Sequence, residues 1–174
     1  DGTAGSGKST TAKELAKRLS FFHIDSGSLY RVATYFCILN KINSKEDELL
    51  EIALNDISIE LDSKNILLNG KDVSSEIRAH NVSSSVSEYS ANIIIRNKLS
   101  QLQRELAKGK DVVVEGRDIA TNVFPEADFK FYLSATVEVR ADRRYSQMLK
   151  TDSDIDVSKD QVLKNLIKRD RLDM

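Results

Sequence analysis

The chain has 174 residues, of which 40% are apolar and 30% charged, with a formal net charge of −1. Such a length suits one compact domain able to bury a core, and the near-neutral balance excludes a polybasic nucleic-acid or membrane-surface binder, so an anion site must come from local placement of arginines. One cysteine, Cys37, allows no internal disulfide and fits a reducing cytoplasm, and no apolar run approaches the length of a membrane span.

The chain opens "DGTAGSGKST", in which Gly2, Gly7, Lys8 and Ser9 fit G-x-x-x-x-G-K-[ST]. Glycines let the main chain approach phosphate oxygens, Lys8 brings a mobile charge to β- and γ-phosphates, and Ser9 offers a hydroxyl to Mg²⁺. The whole loop, Gly2, Thr3, Ala4, Gly5, Ser6, Gly7, Lys8, Ser9 and Thr10, is therefore the expected phosphate cradle. This motif alone leaves GTPases, ATPases and small-molecule kinases open. It normally follows a buried strand, which is absent here, as is a starting methionine, so the sequence is expected to be part of a longer protein.

Ala12, Leu15, Ala16 and Leu19 then recur at helical spacing, which predicts an amphipathic helix aiming its positive end at the loop. "FFHI" at 21–24 reads as a buried strand, with a second helix beginning in "DSGSLYR". "ISIEL" and "NILL", around the turn-rich "DSKN" and followed by "NG" at 69–70, predict small antiparallel strands within 57–68. From "SSEIR" through "RELAK" the spacing is helical. "DVVVEGRD" at 111–118 predicts a second buried strand and "FKFYLSA" at 129–135 a third, with Pro125 in the turn before it. Helices through "VEVRADRRYSQML" and "KDQVLKNLIKRDR", separated by the polar "KTDSDIDVS", complete the pattern. Strands alternating with helices predict an α/β fold with a mostly parallel sheet, and the antiparallel patch is an insertion into it.

In an open α/β sheet the carboxyl ends of neighbouring strands face one crevice. Asp25 and Ser26 after one strand, Arg117 and Asp118 after another, and Arg31 one helical turn past Ser26 are thus candidates to surround one ligand. Arg140, Arg143 and Arg144, with Arg169 and Arg171 beyond the polar stretch, form two groups able to close over it. His23 and His80 lack partners at metal-ligand spacing and are read as residues of a strand and a surface helix.

"GTAGSGKST", "DSGSLYR", "VSSEIR", "EGRDIATNVFPEA", "RADRRY" and "KRDRLD" together resemble the nucleoside monophosphate kinases of the P-loop NTPase class, specifically the bacterial cytidylate kinases, over essentially the whole chain. The resemblance implies a three-layer fold in one domain. Its core would span about 1–25 and 97–139, an enlarged monophosphate-binding region about 26–96, and a helical lid about 140–171, with a final strand and helix falling beyond Met174. It also implies transfer of the ATP γ-phosphoryl to CMP or dCMP with Mg²⁺, in a cytoplasmic monomer. Lys8, Arg117 and Arg169 would be catalytic, and Arg140 and Arg144 would join the loop in binding ATP. Ser26, Arg31 and Arg117 would hold the CMP phosphate, Ser87, Arg96 and Asp118 would read cytosine, and Arg169 and Asp173 would approach the sugar. Ser9 and Asp25 would serve Mg²⁺.

The chain departs from the family pattern at Thr3, where proline is usual, at Ala120, where glycine is usual, and at Glu115, where aspartate or a small residue is usual. The last leaves open which carboxylate, Asp25 or Glu115, orders water around Mg²⁺. A UMP/CMP, adenylate or shikimate kinase is the alternative enzyme. A nucleotide switch is the alternative class, although no "NKxD"-type guanine reader follows a strand.

Overall fold

The computed structural model describes residues 1–61, 65–151 and 157–172, with only the backbone described at 150, 151, 169, 171 and 172. The phosphate loop runs into α1 (Lys8–Leu19), and the chain then returns through β1 (Phe22–Asp25) to α2 (Ser26–Leu39). β1 pairs in parallel with β5 (Val112–Glu115), in the register Phe22 with Val112, His23 with Val113, Ile24 with Val114 and Asp25 with Glu115. Because strand side chains alternate, this register sorts the pair into two faces. Phe22, Ile24, Val112 and Val114 join the main core, whereas His23 and Glu115 meet on the other face, where Ser9 of α1 also reaches Glu115.

Between the two strands lies the insertion. α3 (Asp47–Asn55) precedes a small antiparallel sheet of β2 (Ile59–Leu61), β3 (Ile66–Leu68) and β4 (Lys71–Asp72), joined in the order β2-β3-β4. The "NG" signal at 69–70 is realised: Asn69 and Gly70 have φ of 49° and 77°, as a tight hairpin between β3 and β4 requires. Most of the "DSKN" turn lies outside the described residues. A 3₁₀ turn at Glu76–Arg78 leads to α4 (His80–Ala91) and α5 (Ile93–Ala107).

The main core joins Ile24 of β1, Leu29, Val32 and Cys37 of α2, Leu50 and Leu54 of α3, Ile59 and Leu68 of the small sheet, and Ile95 and Leu99 of α5. Each large aliphatic side chain removed from water there contributes about 1.5–3 kcal/mol. α2 buries residues on several sides because helices and strands surround it, which is why its sequence lacks a polar stripe. Burial pushes the Cys37 thiol up to about 11, so it stays protonated and inert.

β5 runs into a π-helical turn at Ile119–Val123. Residues 129–135, expected as a third strand, form only an isolated parallel bridge between Leu133 and Gly2. Leu133 N donates to Asp1 O at 2.8 Å, and Asp1 N donates to Phe131 O. With pairing limited to these groups among the described residues, Phe129, Phe131 and Tyr132 remain largely exposed. An apolar run makes a strand only where a neighbour completes its ladder.

α6 (Val137–Thr151) and α7 (Lys159–Leu172) form a hairpin with its own small core of Ala141, Val162 and Leu166. Most of the polar "KTDSDIDVS" lies outside the described residues. Among the described residues no helix is long and apolar enough to cross a membrane.

Candidate active site

Backbone geometry fixes the phosphate loop before any side chain acts. Gly7, at the N-cap of α1, has φ of 100°, a left-handed conformation that a Cβ would strain. Gly2 approaches residue 133 so closely that a Cβ would lie 2.2 Å from Leu133 O. α1 has no acidic residue in its first turn and no side-chain cap, so the positive end of its dipole is left for an anion. Lys8 Nζ donates to Thr3 O at 3.2 Å, folding the ammonium across the loop. Thr3 and Ala120 both avoid positive φ, so neither departure strains the backbone.

The loop forms one end of a cleft of about 850 Å³. Ala4, Gly5, Lys8 and Ser9 of the loop line it, as do Ser26, Arg31, Ser87, Arg96, Arg117 and Asp118, together with Arg144 of α6. Gly2, Thr3, Ser6, Gly7, Thr10 and Arg140 lie outside this lining. The side chain of Arg169, and Asp173 altogether, fall outside the described residues.

Arg31 shows how the cleft is charged. Its Nη1 donates to Ser83 Oγ at 2.8 Å and to Ile77 O at 3.4 Å. Burial holds its pKa below the ordinary arginine value, and the guanidiniums of Arg144, Arg78 and Arg117 push the same way while Asp25 opposes them. Like charges converging in a partly desolvated cleft are an anion site. Arg78, which sequence reasoning passed over, lines the cleft because the 3₁₀ turn brings it back toward α2.

Asp118 accepts on Oδ2 from Arg96 of α5 and from Asn122 Nδ2, the latter at 3.1 Å. The turn that follows it is held by Asp1, whose two carboxylate oxygens accept from Ile119 N and Ala120 N at 3.1 and 2.8 Å. Asp1 thereby ties the start of the phosphate loop to the turn after Asp118. Asn122 lies within "EGRDIATNVFPEA" but was not singled out there; the π-turn brings it beside Asp118.

The two acidic candidates near Ser9 differ in how their oxygens are used. Asp25 caps α2, accepting Ser28 N on Oδ1 at 3.0 Å and Ser28 Oγ on Oδ2 at 2.7 Å. Glu115, 3% exposed, accepts Ser9 Oγ on Oε2 at 2.6 Å, with His23 Nε2 3.2 Å from Oε1. This donor set is oxygen-based, and no group of three metal-ligating side chains occurs among the described residues. Such a site suits Mg²⁺, which keeps several waters and takes its remaining ligands from one or two protein oxygens and the substrate phosphates.

Two arginines of α6 engage the loop instead of the cleft. Arg140, 5% exposed, donates Nε to Ala135 O, Nη1 to Ala4 O and Asp170 Oδ1, and Nη2 to Asp170 Oδ2. Arg143 Nη1 donates to Ser6 O at 3.0 Å.

A parallel α/β core carrying a phosphate loop, with a small antiparallel insertion across an arginine-lined cleft, is the fold of the P-loop nucleoside monophosphate kinases. Within that class the chain belongs to the cytidylate kinase family, whose model matches residues 1–174. It is similar to the cytidylate kinases of Fusobacterium nucleatum subsp. nucleatum, 41% identical over 99% of this chain and 78% of that protein, and of Clostridium tetani, 43% identical over 99% and 76%. The cytidylate kinase of Thermosipho melanesiensis is 39% identical over 99% and 78%.

Proposed function

We propose that the chain transfers the γ-phosphoryl group of ATP to CMP or dCMP, giving ADP and CDP or dCDP. The observation that carries this reading is that one cleft is lined by Lys8 and Ser9 of the loop, by Asp118, and by Arg31, Arg117 and Arg144. We read residues 1–25 and 97–139 as the core, 26–96 as the monophosphate-binding region and 140–171 as the lid, in a cytoplasmic monomer.

ATP binds with its phosphates along residues 2–10, and Lys8 follows the β- and γ-phosphates. Ser26, Arg31 and Arg117 hold the acceptor phosphate, whose oxygen is already anionic at neutral pH, so no dedicated general base is needed. Catalysis rests on alignment and on charge stabilisation by Lys8, Arg117 and Arg169. Ser87, Arg96 and Asp118 read the base: a carboxylate accepts from the cytosine 4-amino group, whereas uracil presents an oxygen there. Arg169 and Asp173 approach the sugar. Arg144 faces the transferring group from the lid, while the bonds of Arg140 to Ala4 O and Asp170 give it the task of holding the lid to the loop.

When bound, Mg²⁺ would supply charge neutralisation to the donor phosphates. Ser9 would ligate it. The Glu115–Ser9 bond favours Glu115 over Asp25 as the carboxylate that orders its waters, with Asp25 at the rim of the same cleft.

A coupled assay offering CMP, dCMP, UMP, AMP and shikimate tests the proposal. CMP and dCMP should be phosphorylated far faster than the rest, and Lys8→Met should abolish most turnover while leaving the thermal transition in place. Preference for UMP, AMP or shikimate would refute the acceptor assignment, and full activity in Lys8→Met would refute the role of the lysine.

A further inference from the structure

Glu115 is a buried carboxylate whose two oxygens are claimed from two different elements. Ser9, in the first turn of α1, donates to Oε2 at 2.6 Å, and His23, two residues along the neighbouring strand and on the same sheet face, lies with Nε2 3.2 Å from Oε1. The Glu115 side chain is 4% exposed and that of His23 25%. A carboxylate only accepts, so His23 Nε2 carries the hydrogen, and the imidazole fixes the carboxylate from the side away from Ser9. Ser9 then spends its one hydroxyl hydrogen on Oε2, which turns its lone pairs away from Glu115. A hard cation needs those lone pairs, and an imidazole already committed to a carboxylate is not the ligand Mg²⁺ selects.

We propose that His23 is a positioning residue for the Mg²⁺-nucleotide site, acting through Glu115 to orient the Ser9 hydroxyl toward the cation. The inference rests on the reading of Ser9 as the Mg²⁺ ligand. Glutamate has three side-chain torsions, and a bond at only one oxygen leaves the carboxylate free to rotate about its own axis. The second bond removes that freedom before nucleotide arrives, so the site does not spend binding energy on ordering it.

The test compares His23→Leu, which keeps bulk and removes the donor, with His23→Gln, whose amide restores a donor near the Nε2 position. Binding of ADP to the full-length protein is measured by calorimetry with Mg²⁺ and again with EDTA, alongside binding of CMP. In His23→Leu, affinity for Mg²⁺·ADP should fall about tenfold, as loss of a partner behind a metal ligand does. ADP in EDTA and CMP should bind as to the parent, and His23→Gln should recover Mg²⁺·ADP affinity. In a Glu115→Gln background, His23→Leu should add little further loss, since the two act as one unit. Equal Mg²⁺·ADP affinity in His23→Leu and the parent, an equal loss in EDTA, or failure of His23→Gln to recover would each overturn the proposal. These measurements need no acceptor, so a parent inactive on CMP would sink the substrate reading while the histidine is still judged.

Discussion

Asp118 carries two duties on one carboxylate. It neutralises Arg96, and in the proposed function it reads the acceptor base, with Asn122 donating to the same oxygen that Arg96 uses. Asp118→Asn keeps the shape but removes the charge and turns one acceptor into a donor. The variant should lose about one to two orders of magnitude in kcat/KM for CMP, because a buried partner left unpaired costs about 1–3 kcal/mol. UMP, whose 4-oxygen now meets an amide donor, should lose less, so the CMP-to-UMP ratio narrows. Steady-state kinetics on both nucleotides check this, and an unchanged ratio would remove Asp118 from base selection. The motif at 115–118 made this carboxylate legible in the sequence. The resemblance also set Arg96 beside it, whereas Asn122 was not singled out, because it arrives from a π-turn that no periodicity announces. His23 was not legible either: its contact with Glu115 exists only through the register of two strands with 86 residues of chain between Asp25 and Val112, which local pattern does not carry.

Among the elements, those with a strong period were readable. α1, α6 and α7 follow from their spacing, α2 from its start in "DSGSLYR", and β1 and β5 from short apolar runs ending in polar residues. α3 was passed over although Leu50 and Leu54 sit four apart behind Asp47 and Glu48, a short amphipathic signal between more conspicuous segments. The helical stretch after residue 75 reads as continuous in sequence, yet it breaks at Asn92. That residue is the N-cap of α5: Oδ1 accepts from Ile94 N and Ile95 N, while Nδ2 donates to Ser44 O at 2.9 Å and Asp47 Oδ1 at 2.7 Å. One amide thus ends one helix, starts another and pins both to the approach to α3. Asn92→Ala should destabilise the protein by about 2 kcal/mol, the upper range for a lost cap, with little change in KM for either nucleotide. Urea unfolding measures it, and a variant as stable as the parent would show the cap to be idle.

At the scale of the whole molecule, a chain of net charge −1 lines one cleft with Arg31, Arg78, Arg96, Arg117 and Arg144, and it hangs α6 and α7, the proposed lid, on the phosphate loop. Arg140 is the joint. Its guanidinium spans α6, the loop carbonyl of Ala4 and Asp170 of α7, and the Asp170 pair is nearly dry, with side-chain exposures of 6% and 19%. Removing one partner of such a pair strands the other charge, so Arg140→Met should cost about 3 kcal/mol of stability. Replacing both, Arg140→Met with Asp170→Leu, exchanges the pair for apolar contact between α6 and α7 and should recover most of that loss. Neither variant regains the bond to Ala4 O, so both should bind ATP more weakly than the parent while binding CMP equally well. Thermal unfolding and calorimetry on the two variants separate the alternatives. If Arg140 served ATP directly and held nothing together, the single variant would lose ATP affinity at undiminished stability, and the joint between lid and loop would have to be sought in Arg143.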